Sequence, residues 1–277
     1  MLKAYRLLIF GFKSMHPYLN IAVRAARRAG NIISRHYEQL NTDAIFEKGP
    51  NDLVTMVDKL AEEAIIDTIH KVYPHHGILA EESGSHPGEQ CVWVIDPLDG
   101  TLNYVHGFPQ FAVSIAVKYR NQVEHAVIYE PLSQELYTAT RGAGAQLNNR
   151  RIRVTERGGL EGALLGCGLA FFNRDNTQTM PQLEILQSIF SQCADLRRTG
   201  STALNLAYIA AGRLDGFWDM GPKEWDMAAG MLLVREAGGF VSDFKGENGF
   251  IESGNIIAGT RKVQTELLQI IQSQYRD

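Results

Sequence analysis

Cysteine is scarce in this sequence: three residues in 277, Cys91, Cys167 and Cys193, odd in number and far apart. That excludes a disulfide framework and a clustered zinc site, and a reducing, cytoplasmic setting is expected. Long apolar runs are missing as well. The longest near the start, residues 7–12, is broken by Gly11 and falls far short of the ~20 residues a membrane-spanning helix needs. Lys3 and Arg6 ahead of it give the look of a signal peptide, but the apolar part is too short and no small-residue cleavage site follows. Residues 1–15 are therefore expected to be a poorly ordered N-terminal extension, with Met15 itself able to start translation. Nor is positive charge in excess. The 27 basic and 31 acidic side chains leave a net charge of -4, which excludes a protein that coats nucleic acid wholesale. A mostly disordered chain is excluded by 45% hydrophobic beside 21% charged residues. The nine prolines form no run, and no linker or fixed-period repeat divides the chain, so one layered domain over residues 16–277 is expected.

What is present is periodic. From Leu19 an apolar stripe runs through Ala22, Val23, Ala26, Ile33 and Tyr37 at helical spacing, and a second helix is predicted over 57–72, ended by Pro74. Residues 78–80 and 92–95 read as buried strands, each running straight into carboxylates: Glu81 and Glu82, then Asp96. A meander over 111–119, 123–129, 135–140 and 145–147 predicts antiparallel sheet. Beyond a glycine-rich strand at 162–169, helices at 182–193, 203–211, 227–237 and from 263 alternate with strands at 195–198, 216–219, 240–243 and 255–258. Helices and sheet share both halves, which points to a mixed α/β, α+β fold.

The sharpest chemical feature is Asp96-Pro97-Leu98-Asp99-Gly100-Thr101. A buried strand delivers Asp96, and Pro97 fixes a turn that brings Asp99 back toward it; carboxylates held that close repel unless a cation lies between them. Magnesium, a hard ion that takes oxygen ligands, suits such a pair. The turn exposes the Leu98 carbonyl as a neutral ligand and the Thr101 hydroxyl to orient water, while the Gly100 and Thr101 amides face an anion if a short helix begins there. The bland alternative is an Asx-stabilised surface turn. Glu81 and Glu82 could be solvated loop acids, Asp226 an N-cap before an apolar helix, and Asp58 a first-turn acid serving the helix dipole. Jointly they are acids at element ends, where a layered α/β protein gathers a metal site.

These residues carry a resemblance. Trp93 to Asn103 (WVIDPLDGTLN) and Glu224 to Gly239 (EWDMAAGMLLVREAGG) resemble the two signatures of the inositol monophosphatase family, which belongs with fructose bisphosphatase to the magnesium-dependent, lithium-sensitive phosphatases. Residues 197–206 and the opening MHPYLNIAVRAARRAGN resemble its bacterial SuhB branch. The resemblance implies a layered α-β-α-β-α sandwich and an inositol-1-monophosphatase with two or three magnesium ions per site. Glu81, Asp96 and the Leu98 carbonyl would hold the first ion and Asp96, Asp99 and Asp226 the second, with a weaker third near Glu81. Asp58 and Thr101 match the pair that deprotonates water, Glu81 assists catalysis, and the Gly100 and Thr101 amides cradle phosphate. Gly200, Ser201, Thr202 and Asp219 match contacts to substrate hydroxyls, Arg197 a substrate-side arginine, and Lys48 a mobile loop. Leu98, Asp99 and Asp226 also border the substrate.

Two positions depart from the family pattern. Leu102 replaces a usual threonine, with consequences expected for packing only, and Asp219 replaces a usual glutamate, which loosens the inference about hydroxyl recognition. Arginines 150, 151, 153 and 157, and Arg197 with Arg198, read as a solvated strand edge or as a surface for RNA or an acidic protein. The second possibility accords with the SuhB branch, which is associated with transcription antitermination and RNA polymerase. Fructose 1,6-bisphosphatase and nucleotide 3'-phosphatase activities remain alternatives, relatives commonly form homodimers, and His75 and His76 are expected in solvent.

Overall fold

The computed structural model describes residues 15–37, 45–49, 52–169 and 179–275. Helix α1 (Pro17–His36) leads to the hairpin β1 (Ile45–Gly49) and β2 (Asp52–Thr55), then α2 (Met56–His70). There follow β3 (Gly77–Ala80), β4 (Gly84–His86), β5 (Cys91–Asp99), the short α3 (Thr101–Val105), β6 (Ala112–Tyr119), β7 (Gln122–Glu130), β8 (Glu135–Thr140), β9 (Gly144–Leu147) and β10 (Arg150–Ile152). The remainder is β11 (Leu164–Cys167), α4 (Thr179–Phe190), β12 (Asp195–Arg197), α5 (Thr202–Ala210), β13 (Gly216–Met220), α6 (Glu224–Glu236), β14 (Phe240–Ser242), α7 (Phe250–Ser253), β15 (Asn255–Gly259) and α8 (Arg261–Gln274).

An eight-stranded sheet runs β10-β9-β8-β7-β6-β5-β3-β4, antiparallel except where β3 pairs with β5. A five-stranded sheet runs β12-β11-β13-β15-β14, with β11 parallel to both its neighbours. Side-chain alternation on the strands assigns each sheet two apolar faces. On β5, Trp93 and Ile95 join Ala22, Ala26, Ile33 and Ile65 of α1 and α2, whereas Val94 joins a second cluster with Leu206, Ala207, Leu232 and Leu233 of α5 and α6. On β13, Phe217 faces that same middle layer while Trp218 turns outward to Ile185, Leu267 and Ile271 of α4 and α8. The layers are thus α-β-α-β-α, and each fully buried Leu or Ile among them contributes roughly 1.5–3 kcal/mol.

Helix starts follow from local chemistry. At α1, His16 accepts from the Tyr18 N–H and Pro17 takes the first helical position; at α2, Thr55 and Asp58 form a reciprocal capping box. Several elements differ from expectation. β1, β2, β4 and α7 are short and carry little apolar periodicity, so none was expected, whereas β10 matches the strand edge read for Arg150 and Arg151, and α3 the short helix allowed after Gly100. Helix α6 begins at Glu224, placing Asp226 inside the first turn instead of ahead of it. Lys48 and Gly49 end β1 instead of lying in a loop. Pro50 and Asn51 fall outside the described residues, as does the expected extension over 1–14. Leu102 is 50% exposed, so it is not a packing residue here. His76 is not in solvent: it stacks on Tyr73 at 4.6 Å and accepts from Trp93 Nε1 at 3.0 Å.

Candidate functional site

Strand β5 does not stop at Asp96. Asp96 pairs with Ser114 and Asp99 with Ala112 of β6, so a bulge at Pro97-Leu98 interrupts the ladder where proline has no N–H to give. The bulge is closed by Asp96 Oδ1, which accepts from the Leu98 N–H at 2.9 Å. Gly100 then takes a left-handed φ of 96°; a Cβ there would lie 2.8 Å from the Gln110 carbonyl oxygen. Only glycine lets the chain turn here into α3, whose first amides belong to the same turn as Asp99.

Two further elements bring acids to this bulge. Glu81 follows β3 directly, its N–H on the Ile95 carbonyl at 3.2 Å and its carboxyl hydrogen-bonded to Asp96. Asp226 is third in α6 and accepts from the Lys223 N–H at 2.7 Å. The start of α6 is tied to β6 by the Lys118–Glu224 ion pair and by the Ser114 hydroxyl on the Trp225 carbonyl, 3.1 Å away. Asp99 Oδ2 accepts from Ser201 Oγ and from the Ala203 N–H, each at 2.6 Å.

Crowding shows in the proton affinities. Burial first, then the charges of Glu81, Asp99 and Asp226, hold Asp96 well above the usual carboxylate range. Asp226 is raised likewise by burial, Asp99, Glu81 and Asp219. Burial pushes Asp99 up to about 6 despite the donors on it. Like charges in one pocket are costly without a cation, and these are hard oxygen donors, so the residues fit magnesium. Among the described residues no three acidic, histidine or cysteine side chains already stand at a common ligand point. One oxygen each of Asp96, Asp99 and Asp226 is held by a protein donor.

Asp58 lies on the other side of the bulge. Its Oδ2 accepts from the Thr55 N–H at 2.9 Å and from Thr55 Oγ1 at 2.6 Å, while Oδ1 lies 2.9 Å from the Thr101 hydroxyl. That hydroxyl is also 3.0 Å from the Leu98 carbonyl, and its single proton serves one acceptor at a time. Burial raises the proton affinity of Asp58, and the Thr55 and Thr101 bonds draw it back.

The second half supplies the remaining wall. Ser201 caps α5, and the Thr202 hydroxyl donates to Asp219 Oδ2 at 2.7 Å. The Asp219 carboxylate occupies the space over Gly168, where a Cβ would come within 1.8 Å of its Oδ1. Burial pushes Asp219 up to about 6, opposed by Thr202, the Met220 N–H and the charge of Arg198. Gly200, at φ 81°, packs against the Asn103 amide. Asn103 Nδ2 in turn donates to the Gln110 carbonyl at 2.6 Å and the Thr199 carbonyl at 2.7 Å.

Glu81, Asp96, Leu98, Asp99, Thr101, Ser201 and Asp226 are therefore brought together, with Thr202 and Asp219 beside them. Arg197 is not: it is exposed and pairs with Asp195 of its own strand. Sequence reasoning passed over Asn103, Lys118 and Glu62, and it read Arg198 as a strand edge or partner surface instead of a neighbour of Asp219. Only Glu62 carried a readable signal, as an acid one helical turn beyond Asp58 on an inward-facing stripe.

A model of the inositol monophosphatase family matches residues 14–276. The chain is 52% identical over 262 residues to Nus factor SuhB of Pseudomonas aeruginosa, covering 93% of this chain and 97% of that protein. It is 51% identical over 265 residues to Nus factor SuhB of Escherichia coli K12, covering 95% and 98%. The crystal structure of the extragenic suppressor protein suhB from Bartonella henselae superposes with a TM-score of 0.89 at 40% identity, covering 94% of this chain and all of that one.

Proposed function

Because the chain belongs to the inositol monophosphatase family, we propose that it hydrolyses inositol 1-phosphate, by direct attack of water without a phosphoenzyme. The observation that most supports this reading is the convergence of Glu81, Asp96, Asp99 and Asp226 on a bulge followed closely by Thr101, which touches the buried Asp58. Glu81, Asp96 and the Leu98 carbonyl would hold one magnesium ion, Asp96, Asp99 and Asp226 a second, and Glu81 would border a weaker third. Bound magnesium supplies neutralisation of the phosphate dianion, a lowered pKa for water and charge uptake on the leaving oxygen. Thr101 Oγ1 accepts from the attacking water while its own proton is committed to Asp58 Oδ1, the terminal acceptor. Gly100 and Thr101 amides hold the phosphoryl oxygens, and Gly200, Ser201, Thr202 and Asp219 meet the ring hydroxyls.

Thr101→Val keeps the shape but removes the relay. It is expected to lower kcat by roughly a hundredfold with KM changed by less than about threefold; an unaltered kcat in steady-state assays would remove Thr101 from the proton path. The substrate assignment is tested by phosphate release from inositol 1-phosphate, fructose 1,6-bisphosphate, glycerol 2-phosphate and adenosine 3',5'-bisphosphate, with magnesium and with added lithium. Inositol 1-phosphate should be hydrolysed fastest and lithium should inhibit. Preference for either bisphosphate overturns the assignment.

A second reading rests on the relatives named Nus factor SuhB and on the edge strand β10, where Arg150 and Arg151 are exposed with no ion pair among the described residues. In that reading the chain also serves as a transcription-antitermination component whose arginine edge meets RNA or an acidic protein. Asp99→Asn should then leave partner binding intact while neutralising Arg150 and Arg151 abolishes it. Binding indifferent to both arginines counts against the edge.

A further inference from the structure

Glu62 is buried, 3% exposed, although it lies on a helix with abundant solvent-facing positions. A glutamate is rarely buried without partners, because losing water costs several kcal/mol unless charge-assisted hydrogen bonds offset it. Its partners are two successive backbone amides: Oε2 accepts from the Glu82 N–H and Oε1 from the Ser83 N–H, both at 2.8 Å. This is a bidentate grip on main chain, stronger than a pair of neutral bonds.

The gripped amides begin at the residue following Glu81. On the other side, Ala80 is paired with Ile95 in the parallel β3–β5 ladder, and the Glu81 N–H itself reaches the Ile95 carbonyl. The backbone is thus fixed by sheet before Glu81 and by a side chain after it. Between these two anchors the Glu81 carboxyl is set against Asp96. Asp58 precedes Glu62 by one turn of α2 and faces the same interior. One rigid helix therefore carries both the acceptor that touches Thr101 and the grip on the Glu81 loop.

We propose that Glu62 is a positioning residue for magnesium: its carboxylate clamps the Glu82 and Ser83 amides so that Glu81 is presented to Asp96 as a ligand. The inference rests on the reading of Glu81 as a magnesium ligand. It assigns α2 a second task beyond holding Asp58, namely fixing the register between the proton acceptor and the cation.

The test uses the full chain and magnesium chloride alone. In Glu62→Gln one acceptor becomes a donor facing an amide N–H, so the grip fails while size is kept. The magnesium concentration giving half-maximal thermal stabilisation, measured without substrate, is expected to rise about 10- to 100-fold. The half-activating concentration should rise by the same factor, with kcat at saturating magnesium within about threefold of wild type. Glu62→Asp retains the charge but reaches only one amide and should fall between the two, and it carries the test if the glutamine variant does not fold. Glu63→Gln, at the adjacent exposed position, is the control and should not move either midpoint. If Glu62→Gln lowers thermal stability but leaves the magnesium midpoint at the wild-type value, Glu62 is a structural anchor only and the proposal fails. If the wild type itself shows no magnesium-dependent stabilisation, the ligand reading of Glu81 fails first.

Discussion

Replacing Asp99 by asparagine is expected to lower kcat/KM by on the order of a thousandfold while leaving the fold in place, a loss of about 4 kcal/mol in transition-state stabilisation. The expectation follows from how the two carboxylate oxygens are used. Oδ2 is held by Ser201 Oγ and the Ala203 N–H, both of which an amide oxygen can still satisfy. In the variant an NH2 group takes the place of the other oxygen, offering protons where a cation requires a lone pair. Rotating the amide does not help, because it would set NH2 against two donors. Circular dichroism and unfolding should therefore report a native protein, and phosphate release should report a nearly inactive one. Full turnover at saturating magnesium would remove Asp99 from the metal site.

The second large effect concerns stability without metal. Asp99 and Asp219 are each pushed up to about 6 by burial, whereas in the unfolded chain they titrate near 3.9. Between those values the folded state holds more protons than the unfolded one, so stability is lost as pH rises through the window, and the part lost through these two groups is complete above about pH 7. His125 works in the opposite sense: burial, and then neighbouring His16, hold it down to about 4, so its contribution is lost as pH falls. Comparing wild type with Asp99→Asn in chelator isolates the carboxylate effect. The two proteins should melt together only below about pH 3.5, and near about pH 7.5 the variant should melt higher by about 3–6 °C, equivalent to roughly 3 kcal/mol. Magnesium should reverse the order, since it binds the ionised carboxylates of the wild type. A chelated wild type that stays level with the variant across the whole range would mean that the cluster carries no charge strain.

Much of this site was legible because its acids sit at the ends of apolar runs. Val92 to Ile95 announces a buried strand, and Asp96 is where it becomes charged; Glu81 follows the next strand in the same way. The bulge was not legible. Proline suggested a turn, and only pairing with Ser114 and Ala112 reveals that the strand resumes at Asp99. Asp226 was offset for a related reason: α6 opens after Lys223 with the polar Glu224, which apolar periodicity skips, and the anchors of Glu224 and Trp225 on β6 lie far away in sequence. Arg197 and Arg198 show the limit of matching by position. They are adjacent, so an extended chain turns them to opposite sides; Arg197 meets Asp195, while the charge of Arg198 reaches Asp219. Asn103 and Glu62 act on backbone groups of distant segments, contacts that leave no local pattern.

The three apolar clusters divide the structure into a part built on α1, α2 and the eight-stranded sheet and a part built on the five-stranded sheet, with α5 and α6 between them. Glu81, Asp96 and Asp99 come from the first part, and Asp226 from α6 between the two. A cation gripped as proposed by the Glu81–Asp99 region and by α6 would act as a reversible cross-link that closes a very long chain loop, and because closure entropy grows only slowly with loop length, such a link would remain effective over so wide a span. Separation of α6 from the eight-stranded sheet would then be opposed by the same ion that the proposed chemistry needs, so withdrawal of magnesium should loosen the start of α6 first.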